Sequence, residues 1–446
     1  MYRPAFHFSP PGGWINDPNG LVFHNGLWHL FYQHEPAQLR HGPMHWGHAV
    51  SRDLFSWEHW PVALYPDELG TIWSGSAVAT VQSDGTEQLV ACFTHAETPR
   101  GQIQSLAFSG DQGRTWRKHE GNPVLTSDRR DFRDPKVLRL GDRWIMAVAA
   151  GHEAHFYASP DLFNWTLLST FPAPQSDWIW ECPDLLEVDG QWILLVSFIV
   201  PGATVADGSC TRYWVGDFDG TSFSPQTEPL RLSFGFDDYA AVSWSNAPAG
   251  RQIIIGWMAH WFYADKIPTE AEHWRGAMTL PRELSFEEGL LRQLPPRELL
   301  GLRGQAIALN GGGIEFRGEC FELEAELDVT GLQQGAVGFR VRVGQNEATS
   351  VLYHPASGEL TIDRTRSGQV AFHPEFAGAF GAPLRVEDGI LKLRLFVDRC
   401  SVEVFAQNGA LYGAALIFPS PESQNIEFEG DGARLKRGTI YPLAPR

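Results

Sequence analysis

Residues 132–165 read FRDPKVLRLGDRWIMAVAAGHEAHFYASPDLFNW. The stretch holds an acid–proline pair, Asp134-Pro135, and a tight turn, Gly141-Asp142-Arg143, entering an apolar run at Trp144. A second turn follows in Ser159-Pro160-Asp161-Leu162-Phe163-Asn164-Trp165. Short runs of Val, Ile, Phe and Trp broken by Gly, Asp and Pro are strand and hairpin signals. The same pieces recur along the chain. Asn25-Gly26-Leu27-Trp28 and Asp189-Gly190-Gln191-Trp192 repeat the first turn, and Ser51-Arg52-Asp53-Leu54-Phe55-Ser56-Trp57 repeats the second. Aligning the echoes puts repeat starts near Asp17, Ser74, Asp134, Glu181 and Asp237. Five all-β units of this length predict a five-bladed β-propeller over residues 1–292, since a blade is a four-stranded sheet.

Past Leu294-Pro295-Pro296 the texture changes. Residues 293–312 read as a linker. Residues 313–446 carry alternating strands such as Cys320–Asp328 and Leu391–Val397, with no Trp. This predicts a C-terminal β-sandwich, making the whole chain all-β. Helical periodicity is confined to Pro295–Leu302. All 17 Trp of the 446 residues precede residue 275, so the excess belongs to the propeller. Such rings serve repeated core packing or stacking on flat ligands such as sugars. Ser109-Gly110-Asp111-Gln112-Gly113-Arg114-Thr115-Trp116 resembles the Asp-box turn of sialidase-like propellers and reads as a turn with a core Trp.

The charge narrows the partners. With 35 basic and 53 acidic side chains the net charge is −18, which excludes nucleic acid and anionic membrane surfaces. The most apolar stretch, Trp192–Val200, stops at Pro201 and is too short for a membrane span. No basic start and apolar run mark a leader, which predicts a cytoplasmic location, or a secreted one if an export signal has been removed. The five cysteines are odd in number and far apart, suggesting neither a disulfide framework nor a zinc site.

Three acids stand at matching offsets. Asp17 precedes Trp28 by 11 residues, Asp134 precedes Trp144 by 10, and Glu181 precedes Trp192 by 11. Proline follows each within two positions, at Pro18, Pro135 and Pro183. In a propeller the first strand of each blade lines the axis, so the three acids are predicted to ring one mouth. The amides around Asp17 and the Arg133 cation beside Asp134 favour ionised carboxylates, whereas Trp178 and Trp180 predict an apolar, pKa-raising wrapping for Glu181. A protonated carboxyl beside ionised ones is the arrangement for glycoside cleavage.

Trp14-Ile15-Asn16-Asp17-Pro18-Asn19-Gly20, Phe132-Arg133-Asp134-Pro135 and Trp180-Glu181-Cys182-Pro183 resemble the three signatures of glycoside hydrolase family thirty-two, the invertases, levanases and inulinases. The resemblance extends through Trp46–Ala49, Trp73–Ser76 and Arg275–Met278 to Asp398–Phe405. It implies the same propeller and sandwich, and an exo-acting, retaining β-fructosidase acting on sucrose or fructan without cofactor or metal. By resemblance Asp17 is the nucleophile, Glu181 the acid and base, and Asp134 the stabiliser of the fructose hydroxyls, with Asp17 and Glu181 about 5–5.5 Å apart. Asn16, Gln33, His41, Trp73, Ser74, Arg133, Tyr239 and Trp261 would line the sugar pocket.

Four positions depart from the family pattern: Glu35, His41, Asp238 and His260. They are expected near the leaving sugar, so they bear on substrate choice. A fructosyltransferase with a sugar acceptor and a carbohydrate-binding propeller without catalysis are the alternatives. The five-bladed arabinanase group is disfavoured by the intact Asn16–Gly20 element. Six histidines between residues 24 and 48 match no metal-ligand spacing, and strand alternation should scatter their rings. Cys182 reads as a small buried residue. Oligomeric state and the ranking of sucrose, levan and inulin are not encoded in any readable motif.

Overall fold

The computed structural model describes residues 2–82, 84–98, 101–172, 177–309 and 313–444. The predicted turns Asn25-Gly26, Gly141-Asp142 and Asp189-Gly190 each close a hairpin between the first two strands of a sheet. Asn25 and Asp189 take positive φ there, as such turns require. Five antiparallel sheets result, each ordered outward from its first strand. These innermost strands are Gly13–His24, Thr71–Val81, Phe132–Leu140, Ile179–Val188 and Tyr239–Ser243. They define blades I to V of a β-propeller.

The second echo also has a structural job. In Ser51–Trp57 and Ser159–Trp165 the aspartate folds back to accept backbone N–H groups, Asp53 from Phe55 and Ser56 and Asp161 from Phe163 and Asn164. Asp111 holds the third such turn through Thr115, and Trp116 donates to Gly113 O. These turns connect the third and fourth strands of blades I to III. They are Asx-type turns.

The ring is closed by main-chain contacts between blades I and V. Gly13 and Trp14 pair in parallel with Trp274 and Arg275, and Ser245 bonds to Leu21 and Phe23. The fifth repeat differs from the expected one. Its innermost strand begins at Tyr239, and Asp237 is buried outside it, paired with Arg364 of the second domain.

Blade V ends with the strand Leu290–Leu294, which crosses the expected boundary at residue 292. The stretch read as a linker contains a 3₁₀ turn, Arg297–Leu302, and a short strand, Ile307–Ala308, that joins the sandwich. Residues 310–312 of that stretch lie outside the described residues. The sandwich packs a six-stranded sheet on a five-stranded one. Its core is Phe321, Leu323, Val341, Val351, Leu395 and Val404 with their neighbours, supplied by alternate positions of each strand.

Candidate active site

All five innermost strands break step with their neighbours at the same level. The break falls between Ile15 and Pro18, Trp73 and Gly75, Arg133 and Lys136, Glu181 and Asp184, and Tyr239 and Val242. Each inner strand carries one extra residue there, a β-bulge, which frees a side chain from strict alternation. Asp17, Ser74, Asp134, Cys182 and Ala240 stand at the bulges. Asp134, Cys182 and Ala240 have φ of 62°, 47° and 53°, the left-handed region that non-glycine residues seldom occupy. The prolines that follow the acids have no N–H to leave unpaired where the ladder is interrupted.

The bulges bring the three acids together. Ser74 Oγ donates to Asp17 Oδ2 at 2.6 Å and Asn16 Nδ2 to Asp17 Oδ1 at 3.1 Å. Arg133 Nη2 donates to Glu181 Oε1 at 2.9 Å, and Tyr239 OH donates to Glu181 Oε2. Asp134 accepts from Cys182 N at 2.9 Å, and its own N–H donates to Thr94 Oγ1. Cys182 Sγ lies 3.5 Å from Asp17 Oδ2 and 3.7 Å from Asp134 Oδ2, so one thiol touches two of the three acids. Cys182 is buried as expected, but it is part of the site, not filler beside it. Its thiol pKa lies well above the usual value because of burial and the carboxylates around it.

For the two aspartates, burial outweighs the neighbours that were expected to keep them ionised. Burial, followed by the charge of Glu181, pushes Asp17 up to about 6 in spite of its Ser74 and Asn16 donors. Burial also raises Asp134, and Arg133 offsets only part of the effect. Amide neighbours do not keep a carboxylate at its solution value once water is removed from it. The apolar wrapping expected for Glu181 is absent. The Trp180 ring is fully buried in blade IV against Phe198 and Trp214, while Glu181 meets Arg133 and Tyr239.

The rim is aromatic. The His41 ring meets Trp73 edge-on at 6.0 Å and Trp261 at 5.9 Å. Arg133 lies 5.8 Å from the Trp73 ring, and Tyr239 and Trp257 flank Trp261. Trp73 Nε1 and Trp261 Nε1 are buried without a protein partner. Gln33 is buried, and its amide nitrogen donates to Asn19 Oδ1 at 2.8 Å, so it braces the Pro18-Asn19 segment. Two departures leave the mouth. Asp238 is locked to Arg282 by two hydrogen bonds of 2.6 and 3.0 Å, and His260 packs on Phe262 and Tyr263. Glu35 accepts from Ala37 N within its own loop. His41 reaches the rim between Trp73 and Trp261. The other histidines disperse: His34 bonds Trp14 O, His45 meets Tyr65, and His29 faces His48.

Paired carboxyls with one guanidinium, one phenol and an aromatic rim are suited to splitting a glycosidic bond. The family description "Glycosyl hydrolases family 32 N-terminal domain" matches residues 7–295, and "Glycosyl hydrolases family 32 C terminal" matches residues 301–442. The chain belongs to glycoside hydrolase family 32. A levanase of Bacillus subtilis (strain 168) is 43% identical over 481 residues, covering 99% of this chain and 70% of that protein. An extracellular exo-inulinase of Aspergillus awamori is 33% identical over 510 residues, covering 99% and 95%. Among solved structures, the Aspergillus awamori exo-inulinase superposes with a TM-score of 0.90 at 32% identity, covering 100% of this chain and 98% of that one. The β-fructofuranosidase of Schwanniomyces occidentalis complexed with fructosyl-erythritol gives 0.89 at 26% identity, covering 99% and 98%. As a family 32 member the chain is a glycoside hydrolase, built as a propeller followed by a sandwich. Cys182 is the site residue that sequence reasoning undervalued. The one available signal was its place directly after Glu181, where a bulge turns it toward the other acids.

Proposed function

We propose that this family 32 chain hydrolyses the terminal, non-reducing β-D-fructofuranosyl unit of sucrose, fructo-oligosaccharides, inulin or levan with retention of configuration. The observation that carries the reading is the division of labour among the acids. Asp17 is buried and braced from three sides by Asn16, Ser74 and Cys182, which fits a fixed nucleophile. Glu181 is the more accessible acid, gripped by Arg133 and Tyr239 at the pocket side, which fits a group that exchanges protons with leaving group and water.

In the first step an Asp17 oxygen attacks the fructosyl C2 while protonated Glu181 gives its proton to the glycosidic oxygen. The C2–O bond breaks and its electron pair leaves with the released sugar. In the second step the Glu181 carboxylate takes a proton from water, the hydroxyl adds to C2, and Asp17 departs. Asp134 accepts hydrogen bonds from the fructose hydroxyls, with Arg133 beside it. Trp73 and Trp261 stack on apolar sugar faces, and His41 stands where the leaving sugar emerges.

Proton NMR of the first turnovers tests this. Fructose should appear first as the β-furanose and mutarotate afterwards; the α-anomer as first product would overturn retention. Chain-length analysis on inulin and levan should give fructose alone. A ladder of oligosaccharides would sink exo action, and oligomers longer than the donor at high sucrose would assign the chain to fructosyl transfer.

A further inference from the structure

The catalytic ring has a second tier directly beneath it. Two residues past Asp134, Lys136 crosses the axis from blade III. Its Nζ donates to Ser243 O at 2.6 Å and Ser243 Oγ at 2.9 Å on blade V, and pairs with Asp184 Oδ2 at 3.0 Å on blade IV. Asp184 Oδ2 also accepts from Ser243 N at 2.6 Å. Lys136 and Asp184 are both buried, and Asp184 is inaccessible to solvent. One ion pair therefore ties together the strands that carry Asp134, Glu181 and Tyr239.

Two cavities meet at this point. Above it, Pro18, Ser74, Asp134 and Cys182 enclose a void of about 10 Å³, room for about one water molecule. Below it, a cavity of about 1070 Å³ opens at the rear mouth of the propeller, walled by Val78, Leu138, Trp144 and Trp192. Lys136 and Ser243 are the two residues that line both. The hydrogen-bonded pair is the partition.

We propose that Lys136 is the axial seal of the active site, a positioning residue whose side chain, laid onto Ser243 and Asp184, keeps rear-cavity water from the underside of Asp17 and Asp134. A buried ion pair is weak evidence of stabilisation, because desolvation offsets its attraction, so its presence on the axis calls for another role. Excluding water strengthens every electrostatic interaction above the seal and leaves the front mouth as the single entry for the hydrolytic water. The inference rests on the proposed roles of the three acids, but its main test does not depend on activity.

Cys182 reports on the seal, since it lines the small void and its thiol lies against Asp17 and Asp134. Saturating fructose blocks the front, and methyl methanethiosulfonate is then added at high pH, with labelling followed by peptide mass spectrometry. Lys136→Ala should label at Cys182 at least about tenfold faster than the parent, and sucrose kcat should fall by about tenfold or more with KM little changed. Lys136→Met combined with Asp184→Asn refills the axis without leaving a buried charge and should restore slow labelling and most of kcat. Where Lys136→Ala does not fold, Ser243→Gly opens the same partition and should also speed labelling. Labelling unchanged in the opened variants would overturn the seal. The Lys136→Met, Asp184→Asn pair as impaired as Lys136→Ala would also overturn it, because charge and not closure would then be the contribution. If instead Asp17→Asn kept full activity, the catalytic roles would fail while the labelling result stood.

Discussion

Asp17 carries a thermodynamic cost that follows from its position. Burial raises its pKa to about 6 from about 3.9 in an unfolded chain. A group whose pKa rises on folding adds stability only below its unfolded pKa, and loses that contribution as pH climbs through the folded value. At pH 7.5 ionised Asp17 therefore weakens the fold by about 3 kcal/mol. Asp17→Asn should lower sucrose kcat by about 10⁴-fold or more. The same variant should melt a few degrees above the parent at pH 7.5, and the gain should shrink toward pH 4.5. Calorimetry at both pH values checks the sign, and equal melting temperatures at pH 7.5 would contradict it. Cys182 makes the complementary case. Cys182→Ala removes the thiol between Asp17 and Asp134 but keeps the backbone N–H to Asp134, so kcat should fall about tenfold without abolition, the value of one hydrogen bond. At this scale the acids were legible because three of them stand 10 or 11 residues before a Trp and are followed by proline within two positions. The thiol and the charge states were not, because they depend on which side chains a bulge turns together and on how much water it removes.

At the level of the strand, the device that builds the site is one extra residue, used in every blade. A slip of one residue moves a side chain to the opposite face, so counting along an alternating strand fails where the chemistry sits. That is why the turn-to-turn pattern of blades I to IV could be read, while the fifth start was displaced from Asp237 to Tyr239. Asp238 and His260, expected near the mouth, turn away to Arg282 and Tyr263. Gly75 shows what the bulges require of their neighbours. A Cβ there would stand 2.1 Å from Cys92 O and 2.7 Å from Phe93 Cα, on the adjacent strand. Gly75→Ala must push Thr71–Val81 away from Glu87–Thr98 and carry Ser74 with it. Stability should drop by about 1–3 kcal/mol in denaturant melts. Sucrose kcat should drop about tenfold, because the Ser74–Asp17 bond is lost. Ser74→Ala separates the two effects: it should match the loss of kcat with less than half the loss of stability.

Across the whole molecule, the two domains are joined by buried charge as well as by packing. His7, at the start of the propeller, places Nδ1 2.8 Å from Asp398 Oδ2 and Nε2 2.6 Å from Glu403 Oε1, both on the sandwich. Asp398 also accepts Ala5 N and Phe6 N, and Glu403 accepts Leu280 N at 2.9 Å. Arg364 reaches from the sandwich to Asp237, and Arg282 lies over the Tyr412 ring at 4.2 Å. These contacts explain why the resemblance noted in the sequence ran on into Asp398–Phe405: that segment holds the N-terminal strand entry that leads to Asp17. Burial alone would lower the His7 pKa, but the hydrogen bonds to Asp398 and Glu403 outweigh it and lift the ring to about 9. The Asp398 carboxyl, although buried, is held down at about 2 by His7 and backbone N–H groups. The His7 contribution is complete below about 6.5 and is lost as pH rises through about 9. The Asp398 contribution is complete above about 3.9 and is lost as pH falls through about 2. The joint should therefore be strongest between about pH 4 and 6.5, and weaken by about 3 kcal/mol by pH 9.5. His7→Gln leaves two buried carboxylates without a cation and should destabilise the protein by about 3–5 kcal/mol at pH 6. In that variant the loss of stability between pH 6.5 and 9.5 should flatten, because the titrating ring is gone. Melts of parent and variant across that interval decide it: parallel curves would mean that His7 carries no charge in the folded protein.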